Sequence, residues 1–177
     1  MPFVGDQTSI LDEIETFTVG LTQRPEPEWS LATVLFLDMP RKPDVSLPRH
    51  QAQLRREVDW FRGRTADLAS GAPLATFDGP ARAIRCACSM VAQAARQGSS
   101  ARAALHTGEC EFTLEGLPDG FTVGLTQQLL AMTPPGSVLV SRVVKDLVAG
   151  SGIHFSPSER SIAFEGDTLP LFEVVSS

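Results

Sequence analysis

No apolar stretch in this chain approaches the ~20 residues that cross a bilayer, and no basic region followed by an apolar run opens it. Neither a membrane span nor a secretory leader is expected, and a cytoplasmic location is. Cysteine is scarce: Cys86, Cys88 and Cys110 make an odd set of three. Cys86 and Cys88 stand two residues apart, so on a helix they diverge and do not easily share a metal. Reduced thiols are expected, not a disulfide framework. His50, His106 and His154 lie far apart and in no metal-ligand spacing. Basic excess is missing as well: 15 Lys and Arg stand against 21 Asp and Glu, for a net charge of -6. Phosphate binding runs on clustered cations, so nucleic acid is not the expected partner. Cations gather only locally, in Arg41, Lys42, Arg49, Arg55, Arg56, Arg62 and Arg64. Interleaved with Glu57 and Asp59, they read as a solvated helix face.

What is present suits a single globular domain: 177 residues, 42% of them apolar. Thr8 to Phe17 reads as a short amphipathic helix, capped by Thr8, with Ile10, Leu11, Ile14 and Phe17 in one stripe. Arg24-Pro25-Glu26-Pro27-Glu28 cannot continue a helix and makes a stiff, extended linker. Residues 1–29 are thus expected as helix and linker, and 30–177 as the domain proper. Leu31–Leu37 is a nearly unbroken apolar run of strand length, ending at Asp38. It suits a central strand buried on both faces. Pro40, Pro43 and Pro48 predict an irregular loop, and His50–Arg62 a helix stopped by Gly63.

Short strands are expected at Arg64–Leu68 and Pro73–Phe77. The segment from Gly79 to Gln97 carries the clearest helical signal, with Pro80 in its first turn, Asp78 as its cap, and a stripe of Ile84, Cys88, Val91 and Ala95. Ala101–Gly108 follows as a strand, then Val123–Met132 as a helix, Val138–Ser141 as a strand and Arg142–Val148 as a helix. Ile153–Phe155, Ser161–Phe164 and Leu171–Val175 read as short closing strands. The alternation suits an α/β (α+β) sandwich of ferredoxin-like type, a mixed sheet with helices packed on it. The heptapeptide Phe17–Gln23 recurs identically at Phe121–Gln127, and no physical reason for the repeat is evident.

Five stretches, in order, resemble the class III adenylate/guanylate cyclase catalytic domain: Ala32–Asp38, Leu74–Ile84, Leu105–Glu109, Pro135–Ser141 and Val144–Gly152. The N-terminal segment with its Pro-Glu-Pro linker is similar to the join in larger bacterial proteins where an α/β-hydrolase-like module precedes a cyclase domain. The resemblance implies cyclisation of a nucleoside triphosphate, in which two divalent metals, Mg or Mn, clamp the attacking and leaving oxygens through two carboxylates. Asp38 matches the first carboxylate. Gly71, in Ser70-Gly71-Ala72, matches the second and offers no ligand. The base-selecting lysine falls on Asp67, the second base-selecting position near Leu117, and the asparagine and arginine of the transition state on Gly124 and Gln128. The family's phosphate-cradling Gly-Ser-Thr turn is replaced by Met39-Pro40-Arg41-Lys42-Pro43, where proline removes a backbone donor.

By this matching, the expectation is a catalytically silent cyclase-type domain. It is expected to bind no cofactor, with Asp38 a vestigial metal carboxylate, and to serve as a regulatory or dimerisation module in intracellular signalling. Its expected partner is a second copy or another cyclase-type domain, with neither nucleic acid nor membrane involved. A weak or partner-dependent cyclase and a nucleotide- or metal-sensing module are the alternatives. His106 and Asp38 each have a structural reading too, as a buried strand residue and a strand-end hydrogen-bond acceptor. Cys110, beside Glu109, has no histidine placed to activate it and is expected to be inert.

Overall fold

The apolar run ending at Asp38 becomes an interior strand of the sheet. A computed structural model describes residues 28–40, 46–67, 73–164 and 166–176. The elements are β1 (Glu28–Asp38), α1 (Leu47–Trp60), β2 (Arg64–Asp67), β3 (Pro73–Phe77), α2 (Pro80–Arg96) and β4 (Arg102–Phe112). They continue with β5 (Pro118–Asp119), α3 (Phe121–Met132), β6 (Val138–Ser141), α4 (Arg142–Leu147), β7 (His154–Phe164) and β8 (Asp167–Ser176). The predicted N-terminal helix, the linker up to Pro27, Arg41, Lys42 and Gly71 lie outside the described residues, and Glu28 and Trp29, expected as linker, already belong to β1.

The strands form one mixed sheet in the order β2-β3-β1-β4-β6-β8-β7, with β5 paired to β4. Only β4 and β6 run parallel. β1 and β4 pair antiparallel along their whole length, from Glu28 opposite Phe112 to Asp38 opposite Arg102. Alternate residues of β1 therefore feed two cores. Leu35 and Leu37 pack with Leu54 and Val58 of α1, Ile84 and Met90 of α2, and Val144 of α4. Val34 and Phe36 pack on the other face with Val123, Leu125 and Leu129 of α3. Among the described residues, helices thus cover both faces, three on one and α3 on the other.

Several boundaries differ from those the sequence predicts. Pro48 does not belong to the loop but opens α1, where its missing N–H is not needed. α1 ends at Trp60, Arg62 turns the chain with a φ of 59°, and Gly63 lets it pass the ring of Phe77, which a Cβ would approach to 2.5 Å. α2 buries Ala83, Ile84, Cys86, Ala87, Met90, Val91 and Ala94, whereas Cys88 is half-buried and Ala95 exposed. In so alanine-rich a helix, side-chain hydrophobicity barely distinguishes neighbouring stripes, and contact with α1 and the sheet decides. Asp78 is not the cap: Gly79 holds that position without a side-chain bond, and Asp78 pairs with Arg82 at 2.6 Å. The three closing strands are two long ones, β7 and β8, with the register irregular between Pro157 and Ser161.

Candidate functional site

Antiparallel pairing sets the last residue of β1 beside the first of β4. Asp38 and Arg102 face each other there, and the Arg102 Nε donates to Asp38 Oδ2 at 2.8 Å. Arg102 Nη1 also donates to the carbonyl of Thr133, the residue that caps the C-terminus of α3, at 3.2 Å. A helix C-terminus carries partial negative charge. One guanidinium thus answers two negative groups and ties β1, β4 and α3 together. Among the described residues, the hydrogen-bond partner of Asp38 is this arginine and not the backbone N–H groups expected at a strand end. Arg102 was not among the residues singled out in the sequence. Its signal was the pairing itself, since the start of β4 must lie opposite the end of β1.

The other candidate positions are placed as follows. Asp67 ends β2, opposite Pro73 of β3, and the β1–β3 register carries this end of the hairpin to the Asp38 end of the sheet. Leu117 is partly buried against the α3-side core, and its N–H donates to Thr113 Oγ1 at 3.2 Å. Gly124 and Gln128 sit one helical turn apart on the exposed side of α3. A Cβ at Gly124 would meet nothing within 4 Å. The helix that holds them, FTVGLTQQLLAM, has no charged residue. It lies close on β4 because Gly108 has no side chain: a Cβ there would come 2.5 Å from Thr122 Oγ1, which donates instead to the Glu109 carbonyl at 2.7 Å.

Beside the end of β1, a groove is lined by Met39, Pro40, His50, Gln53, Gln93, Ala94, Gln97 and Ser99. Its free space is about 30 Å³, room for a water or two. Gln53 Nε2 donates to Gln93 Oε1 across it at 3.1 Å. Among the described residues, no three His, Cys, Asp or Glu side chains converge as metal ligands.

His106 is buried in β4, its Nδ1 2.8 Å from Ser141 Oγ. Ser141 Oγ also accepts from the Val144 N–H at the start of α4. The hydroxyl has one proton and two lone pairs, so it can serve either tautomer of the neutral ring. Burial pushes the imidazole pKa down to about 4, so at neutral pH it is an uncharged structural link between β4 and α4. None of the three cysteines is in a disulfide. Burial, with Glu57 and Cys88 nearby, raises Cys86 to about 12, and burial raises Cys110 as well. Thiols held protonated are poor nucleophiles.

No family profile matches the sequence, and no curated protein sequence does. Solved structures do match. The catalytic core of a rhodopsin-guanylyl cyclase with converted specificity, in complex with ATPαS, superposes with a TM-score of 0.70 at 15% identity, over 84% of this chain and 99% of that one. An adenylate/guanylate cyclase/hydrolase from Silicibacter pomeroyi gives 0.67 at 19% identity, over 85% and 99%. A dimeric guanylyl cyclase domain of a RhoGC fusion protein from the aquatic fungus Blastocladiella emersonii gives 0.66 at 16%, over 84% and 98%. Identities this low speak to architecture, and the coverage is nearly complete on their side. The chain has the fold of a class III adenylate/guanylate cyclase catalytic domain.

Proposed function

We propose that this is a catalytically silent cyclase-type domain, retained as a regulatory or dimerisation module in intracellular signalling. The observation that carries the reading is the Asp38–Arg102–Thr133 clasp. A two-metal cyclase needs two free carboxylates meeting at one point. Here Asp38 is already held by an internal cation, and the matching second position, Gly71, has no ligand to offer. This donor set does not fit Mg or Mn, and no resident cofactor is proposed. The uncharged α3 supports the same reading, because stabilising a pentavalent phosphate needs preorganised cationic donors. Losing one such donor costs roughly 10²–10³-fold in rate.

The proposed partner is a second copy or another cyclase-type domain; one structure with this fold is a dimer. Neither nucleic acid nor membrane is proposed. Among the described residues, no helix is long and apolar enough to cross a membrane.

The test is turnover of purified protein with ATP or GTP and Mg or Mn, followed as cyclic nucleotide. None is expected. Turnover above a blank that Asp38→Ala abolishes would establish a weak cyclase instead. Calorimetric titration with ATP, GTP and magnesium checks for a sensing module, and saturable heat without turnover would favour that alternative.

A further inference from the structure

α1 turns Leu54 and Val58 inward. Its opposite side carries Arg49, Ala52, Arg56 and Trp60, at spacings of three, four and four, in one exposed line. Trp60 is 81% exposed, a large apolar ring left in water. The acidic residues of α1 do little to balance the arginines. Glu57 accepts from Ser89 Oγ of α2 at 2.6 Å, and Asp59 lies to one side of the line. Among the described residues, neither Arg49 nor Arg56 has an acidic partner. A basic line with an aromatic end, on a protein of net charge -6, is complementary to something acidic and apolar.

Such a segment precedes β1 in this chain. Residues 1–27 hold Asp6, Asp12, Glu13, Glu15 and Glu26 against the single cation Arg24. On the helix expected at 8–17, Glu13 and Glu15 flank the stripe of Ile10, Leu11, Ile14 and Phe17 on either side. Reach is sufficient. Arg64, just past α1, pairs with Thr76, and Thr76 with Val34. Arg64 is therefore level with the middle of β1, about 20 Å along the strand from Glu28 and about 10 Å across two strand spacings. Residues 18–27 extend to about 33 Å.

We propose that the occupant of the α1 face is residues 8–17 of the same chain. The apolar stripe covers Ala52 and Trp60, and Glu13 and Glu15 pair with Arg49 and Arg56. A tether this short holds the segment at roughly millimolar effective concentration, so individually weak ion pairs are enough.

The test uses the full chain with Trp29→Phe, which leaves Trp60 as the reporter, since the sequence has two tryptophans. Blue-shifted emission and protection from acrylamide are expected at low salt. Both should be independent of protein concentration and weaken at high salt, where screening shortens the range of charge. Glu13→Lys with Glu15→Lys should raise the quenching constant about two- to three-fold, as should Arg49→Glu with Arg56→Glu, and all four together should restore protection. Ile14→Ser should expose the ring without any change of charge. A parent protein with Trp60 fully quenchable overturns the proposal. So does protection that appears only as concentration rises, which means a second copy, or only with phosphatidylserine vesicles, which means a membrane. Four-site variants no better protected than either pair overturn it too.

Discussion

At one end of the β1–β4 pair, Asp38 faces Arg102 in an ion pair whose guanidinium also reaches the carbonyl of Thr133, the residue that caps α3. At the other end, Trp29 faces Glu111 and Leu31 faces Glu109, and both apolar side chains are more than half exposed. The same two strands thus close one end with a charge pair and leave the other unfinished. In this fold, chemistry demands charged groups that are open to a ligand. The end that bears Asp38 is satisfied from within by Arg102. At the other end, apolar side chains are left exposed beside Glu109 and Glu111. The closed ion pair and the exposed apolar pair sit roughly 25–30 Å apart along an eleven-residue strand.

The contrast is sharpest if the middle of the pair is what holds it together. Between the two ends of β1, Phe36 is fully buried. Phe36→Ala should cost about 3–5 kcal/mol in urea unfolding, far more than changes at either end; a loss as small as those at the ends would show that the middle does not dominate. Next comes acid. His106 is neutral in the folded chain, with its pKa lowered from 6.5 to about 4. Its contribution is fully present above pH 6.5 and is lost as pH falls toward 4, because the unfolded chain takes up the proton first. About 3 kcal/mol should disappear over that window, and His106→Asn should flatten that part of the stability–pH curve.

At the closed end, both members of the ion pair are partly exposed, so Arg102→Ala should cost about 1 kcal/mol or less, and less still in high salt. At the open end, Trp29→Ser with Leu31→Ser should change monomer stability by no more than about 0.5 kcal/mol. Light scattering on that double variant tests the contrast directly. Any concentration-dependent dimer seen in the parent should weaken, and a dimer that is unaffected would place the contact surface elsewhere.

Much of the architecture was legible in the sequence because its signals were local. An apolar run bounded by Asp38, Pro80 and Gly98 around α2, and strand-length Val138–Ser141 each identify themselves within a few residues. What was not legible depended on partners distant in sequence. β1 takes in Glu28 and Trp29, and β4 runs on to Phe112, because each strand supplies the other's hydrogen bonds beyond the region either would bury alone. β7 was split in the reading by Pro157 and its polar neighbours, and pairing with β8 carries it through them. At the candidate site, the fates of Gly124 and Gln128 could be read from their identities: neither bears a charge. Arg102 could not, because its meaning comes from a residue 64 positions away.

That separation has a kinetic consequence. Joining Asp38 to Arg102 closes a loop that contains α1, β2, β3 and α2, and loop-closure entropy must be met before the β1–β4 ladder returns any hydrogen bonds. The long central ladder is therefore a late event, formed after the helices and the β2–β3 and β7–β8 hairpins that need only near neighbours. Refolding should run in milliseconds to seconds, not microseconds. Substitutions along β1 should act mainly on the unfolding limb of a chevron plot, and those in the local hairpins more on the folding limb.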